Sequence, residues 1–141
     1  RDILSVPRDH ATVFAEVSSM RRRWRTERDR SDARQLDLKQ GHGALLDIEF
    51  LLQGLVLANA SHHPELLEVT ANAAMIEACR GARLIDANHA AILTVAHADL
   101  LQRSLTCTMD LRSRLAPRDA ELKQVCAGVW DVAEGLGFQF G

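Results

Sequence analysis

The sequence predicts an all-α fold: a bundle of about five helices around one central helix that is apolar on nearly every side. Three observations carry that expectation. Strand-forming aromatics are scarce, with no Tyr, four Phe and two Trp, while Leu, Ala, Arg, Glu and Asp dominate. Apolar residues recur at helical rather than alternating spacing along most of the chain. The stretch from Gly43 to Asn59 carries Leu45, Leu46, Ile48, Phe50, Leu51, Leu52, Leu55, Val56 and Leu57, an apolar surface too wide for a helix with one solvent face. At 141 residues the chain fits a single domain, 1–141, long enough to bury its own core.

Residues 1–8 read as an extended lead-in, because Val6 precedes Pro7 and that position avoids helix. From Asp9 the period becomes helical, with Val13, Val17, Met20 and Trp24 on one face and Phe14 beside them. Arg21, Arg25 and Arg28 line a neighbouring face, flanked by Arg22 and Arg23. That face is either solvated or turned toward an anion, since guanidinium forks suit phosphate and carboxylate. Residues 29–35 are polar and loop out, and Leu36-Asp37-Leu38 alternates briefly as a short extended piece. The apolar helix follows from Gly43 or Ala44 and stops around Asn59 to His63, ahead of Pro64.

A turn restarts over Pro64 to Leu67, and a short helix runs from Asn72 to Cys79 with Gly81 as its stop. Asp86 caps the next helix, whose buried side is expected to hold Ile92, Leu93, Val95, Ala96, Leu100, Leu101 and Leu105. Residues 112–116 read as a connector, and Pro117 suits the first turn of the last helix. That helix carries Leu122, Val125, Cys126, Val129, Ala133 and Leu136 as a stripe. Gly135 and Gly137 end it, leaving Phe138 and Phe140 in a tail.

Charge and composition exclude several classes of function. A net charge of -2 supplies no global field for nucleic acid or an anionic membrane. No apolar run approaches the ~20 residues a membrane-spanning helix needs. Cys79, Cys107 and Cys126 are well separated and form no CxxC pair, so they read as reduced thiols of a cytoplasmic protein. The histidines lack metal-binding spacing: His62 and His63 are adjacent, and neither forms an i,i+4 pair on a helix. No metal ligand is expected within the chain.

The informative stretch is Asp37 to Gln53. A loop with Lys39, Gly41 and Gly43 runs into the apolar helix, which nevertheless keeps Asp47 and Glu49 in its first turns. Buried charge is costly unless paired or used. Two residues apart is roughly 200° around a helix, so the two acids face different sides. One can serve the interior and the other something outside. Gly41, Gly43 and the helix start form either a plain turn or a place where backbone N–H groups approach a phosphate.

Asp37, Lys39, Gly41, Gly43, Ala44, Asp47, Ile48, Glu49, Phe50 and Gln53 together resemble a motif of the glutamine synthetase adenylyltransferase family, bifunctional enzymes that add and remove AMP on glutamine synthetase. Met20-Arg21 to Arg25 match its upstream helix; Thr70 and Asn72, Gly81 and Leu84, and Ala96 with Leu100 match downstream positions. Ala44 stands where the pattern has a second glycine, and His97 where an aromatic is common. The resemblance covers about residues 1–110.

It implies a helical domain that follows a nucleotidyltransferase domain using ATP and Mg2+ in the regulation of nitrogen assimilation. The Gly-Ser and Asp-x-Asp metal motif of such a catalytic domain does not occur here. The 141 residues are therefore expected to be the excised C-terminal portion of a longer enzyme, inactive alone and with no cofactor expected in the isolated fragment. The resemblance further implies that Lys39, Gly41 and Gly43 face phosphates, with Asp47 and Glu49 in support. The alternative for these residues is a tie between domains. A non-catalytic module docking the PII signal protein or glutamine synthetase is the competing function, and the related PII uridylyltransferase shares the domain pairing.

Overall fold

The computed structural model describes residues 9–141, so the lead-in expected over residues 1–8 lies outside the described residues. Five α-helices make up most of it: α1 (His10–Arg28), α2 (Leu45–Asn59), α3 (Asn72–Gly81), α4 (Ala87–Met109) and α5 (Ala120–Leu136). A 3-10 turn at Pro64–Glu68 links α2 to α3. The helix α2 is central, packing against α1, α3, α4 and α5. Its side chains Leu46, Ile48, Phe50, Leu51, Leu52 and Leu55 are all buried, as its all-round apolar pattern requires.

Local chemistry sets the helix ends. Asp9 caps α1 by accepting from the Thr12 N–H at 3.2 Å, and Asp86 and His89 form a reciprocal capping box at the start of α4. Asp119 caps α5 through the Leu122 N–H at 2.8 Å. Gly137, at φ 109°, ends α5 in the left-handed conformation that glycine adopts without strain.

Several sequence expectations are corrected. Pro117 does not open the last helix; it closes a three-residue strand, β2 (Leu115–Pro117), inside what read as a connector. This strand pairs antiparallel with β1 (Gln35–Asp37), Leu36 opposite Ala116, so the extended piece expected near Leu36 has a partner 80 residues on. The helix α3 ends with Gly81 as its last residue, as expected, but the left-handed residue beyond it is Arg83 at φ 62° rather than the glycine. Along α4, Val95, Leu101 and Leu105 are exposed rather than buried, because the core takes the Ala90, Leu93, Ala96, Leu100 and Cys107 side instead. Met20, expected on the apolar face of α1, is also exposed.

The tail belongs to the core. Phe138 and Phe140 are buried, and Phe138 stacks on Phe14 with centroids 4.2 Å apart. Phe138 also lies so close to Gly54 of α2 that a Cβ there would collide with its ring. The tail thus crosses the groove between α1 and α2.

Candidate functional site

The loop between β1 and α2 is built around two buried carboxylates. Asp37 holds its first half: Oδ1 accepts the Lys39 and Gln40 N–H groups at 3.0 and 2.9 Å, and Oδ2 accepts the Arg30 N–H at 3.2 Å. Asp47, in the first turn of α2, holds its second half. Its Oδ2 accepts the Gly43 N–H at 2.6 Å. Its Oδ1 accepts Arg21 Nε at 2.6 Å and Arg25 Nη2 at 2.5 Å. The Arg21 and Asp47 side chains are both 0% exposed.

Two guanidinium groups facing one carboxylate leave one positive charge over, and backbone carbonyls absorb its hydrogen-bonding demand. Arg21 Nη2 donates to the Gln40 carbonyl at 2.7 Å and Nη1 to Gln40 Oε1 at 3.2 Å, while Arg25 Nη1 donates to the Phe140 carbonyl. Burial lowers the Arg25 pKa from its ordinary value, the Asp47 carboxylate works against that shift, and Arg21 adds to it. The solvated basic face is therefore wrong for Arg21 and Arg25. The anion they face is Asp47 of this same chain. The centre ties together α1, the loop, α2 and the C-terminal tail.

Gly43 has φ 75°, and a Cβ on it would collide with the Cys126 carbonyl of α5. Its N–H is engaged by Asp47, and the Gly41 N–H donates to the Asp37 carbonyl at 2.9 Å. Both backbone donors proposed for a phosphate are thus occupied within the chain. Neighbouring His42 packs on Trp130 at 4.9 Å between ring centroids, and its pKa is lowered first by desolvation and then by Arg25. Burial pushes the Cys79 and Cys126 thiols up to about 11, and all three cysteines are free.

Lys39 and Glu49 face outward. Lys39 is exposed on the loop beside Arg28, Arg30 and Arg114. Glu49 is half-buried and lines a groove of about 450 Å³ with Gln53, Thr70 and Asn72. The sequence motif therefore divides: Asp37, Gly43 and Asp47 build the loop, while Lys39 and Glu49 emerge on different surfaces. Sequence reading missed Arg114, which reaches Lys39 through the strand pairing, and Asp37 as the carboxylate that organises the loop. The spacing of Asp37 two and three residues before the N–H groups it binds is the signal that identifies such a turn.

Among the described residues no helix is long and apolar enough to cross a membrane, and no group of three or more His, Cys, Asp or Glu side chains could hold a metal ion. The family model described as GlnD PII-uridylyltransferase matches residues 15–139. The "Bifunctional glutamine synthetase adenylyltransferase/adenylyl-removing enzyme" of Xanthomonas campestris pv. campestris (strain B100) is 43% identical over 140 residues, 99% of this chain and 15% of that protein. The protein of the same name from Stenotrophomonas maltophilia (strain R551-3) is 45% identical over 86% of this chain and 13% of its own length. That of Shewanella loihica (strain ATCC BAA-1088 / PV-4) is 35% identical over 84% of this chain and 12% of its own. The chain thus spans about 15% of the length of the curated relatives it matches.

Proposed function

Because this chain belongs to the family described as GlnD PII-uridylyltransferase, we propose that it is the helical domain of an enzyme that transfers AMP from ATP to glutamine synthetase. In this reading it packs on, and completes the active site of, a nucleotidyltransferase domain that precedes it in a longer chain. The family description names a uridylyltransferase. The relatives that match nearly all of this chain carry the adenylyltransferase name, and that supports AMP as the transferred group.

One observation carries the reading. Lys39 is exposed and has no ion pair among the described residues, yet its loop is held rigid by Asp37 and Asp47. A cation presented on a fixed loop is preorganised to meet charge developing on a phosphate. Asp47 acts at one remove, by fixing the loop. Glu49 is available to orient the substrate segment. The described residues group no metal-binding set of side chains, so in this reading Mg2+ is held by carboxylates of the neighbouring domain and no step here runs through it.

In the full-length enzyme, Lys39→Ala removes one charge-assisted contact worth about 1.5–3 kcal/mol. Turnover for AMP transfer to glutamine synthetase is expected to fall roughly 10- to 100-fold, at ~1.4 kcal/mol per tenfold, with an unchanged melting midpoint. Unchanged turnover would sink this role for Lys39.

A second reading is favoured by the exposed apolar strip of α4. Leu101, Leu105 and Met109 recur at i, i+4 and i+8 and face solvent, a surface suited to docking the PII signal protein or glutamine synthetase. Loss of that binding on Leu105→Glu, with transfer to a small surrogate intact, would favour docking over chemistry.

A further inference from the structure

We propose that the hollow lined by Arg28, Arg30, Lys39 and Arg114 binds a phosphate group, held by side chains from three separate segments of the chain. The proposal rests on the reading that the Lys39 loop meets a phosphate, and it assigns the residues that share the task. Arg28 ends α1, Arg30 follows it, Lys39 sits after β1, and Arg114 directly precedes β2. The ribbon joins the last two: the Leu38 N–H donates to the Arg114 carbonyl at 3.0 Å. Nothing in the linear sequence places Arg114 beside Lys39.

Charge and size both point to phosphate. Four cations and one carboxylate, Asp37, line the hollow. Asp37 is already engaged by three backbone N–H groups, and of the four cations only Arg30 approaches it, at 3.8 Å. Among the described residues Arg28, Lys39 and Arg114 have no ion pair, so an excess of positive charge converges on one small space. Such cations repel one another until an anion joins them. Arg28 is steered by stacking over Trp24, its guanidinium carbon 4.3 Å from the ring centroid. The hollow measures about 210 Å³, below the roughly 300–1,000 Å³ of pockets that enclose a drug-sized ligand. It accommodates the phosphate end of a ligand and leaves a nucleoside outside. Four of the six lining residues are Arg or Lys, whose guanidinium and ammonium groups are the donors that pair with phosphate oxygens.

The test is calorimetric titration of the 141-residue chain with tripolyphosphate, with ATP and with hexaglutamate, alongside amide shift mapping by NMR. Tripolyphosphate is expected to bind and to shift the amides of Lys39, Gln40 and Arg114. Lys39→Gln and Arg114→Gln should each weaken it about five- to tenfold. Lys123→Gln, an exposed lysine on α5 away from the hollow, should leave it unchanged. ATP binding as tightly as tripolyphosphate means that phosphate alone is read. Tighter ATP binding identifies the source as a nucleotide whose base rests outside the hollow.

The proposal is overturned if tripolyphosphate fails to bind the folded chain at millimolar concentration, or if Lys123→Gln weakens it as much as Arg114→Gln. Hexaglutamate binding more tightly through the same residues would assign the hollow to an acidic polypeptide and overturn it too. These outcomes are separate from AMP transfer. Phosphate binding with unimpaired transfer in Lys39→Ala would remove the catalytic reading and leave this one standing.

Discussion

Arg21 and Arg25 meet Asp47 in the interior, whereas Arg28, Arg30, Lys39 and Arg114 gather around a hollow open to solvent. Both regions are rich in arginine and share the same loop, and α1 contributes to each. The difference lies in where the counter-charge comes from. Inside, the chain supplies it, and carbonyls of Gln40 and Phe140 take up the remaining donors. At the hollow, the chain supplies too little, because Asp37 is turned toward backbone N–H groups. A satisfied charge cluster fixes architecture; an unsatisfied one is available to a ligand.

The largest expected effect tests the interior. Asp47→Ala leaves two buried guanidinium groups without a counter-ion and frees the Gly43 N–H. Unfolding free energy should drop by about 3–5 kcal/mol, read by urea denaturation, and the melting midpoint by roughly 10 °C or more. A loss below about 1 kcal/mol would mean that water or another anion reaches the centre, and the contrast between the two regions would collapse.

Gly43→Ala is next. The substitution forces a side chain into a left-handed conformation against the Cys126 carbonyl, at a cost of about 1–3 kcal/mol. The urea midpoint should fall at unchanged slope, and phosphate binding at the neighbouring hollow should weaken as the loop loosens. A stable variant with normal binding would show that the loop does not need its present geometry.

The smallest effect is expected at the outward-facing members of the motif. Lys39→Ala and Glu49→Ala should each move stability by no more than about 0.5 kcal/mol, while Lys39→Ala still changes binding or turnover. A loss above 1 kcal/mol from Lys39→Ala would give that residue a packing role and blur the distinction.

Much of the fold was legible along the chain. The all-round apolar pattern of residues 45–57 identified α2 as central, Asp86 announced a helix start, and the glycine-bearing loop with two acids marked the segment that matters. The expectation that Asp47 and Glu49 point to different sides follows from helical geometry alone, and the structure places one inside and the other at a groove. The resemblance to adenylyltransferases rested on those same residues, and relatives of that name match 99% of the chain.

The sequence by itself determined the periodicity of the helices, the caps at Asp86 and Gly137, and the presence of charge in an apolar helix, since each is set by residues within a few positions of one another. Tertiary structure decided the rest. Arg21 and Arg25 became internal because Asp47 lies 26 and 22 residues away in sequence yet in direct contact. Pro117 joined a strand because β1 offered an edge, and Arg114 came to Lys39 by that same pairing. Val95, Leu101 and Leu105 were left in solvent because neighbouring helices cover only one side of α4. An arginine reads the same in sequence whether its anion comes from its own chain or from a ligand; only the partners brought to it by folding decide which, because charge pairing acts over a few ångströms of space and not along the chain.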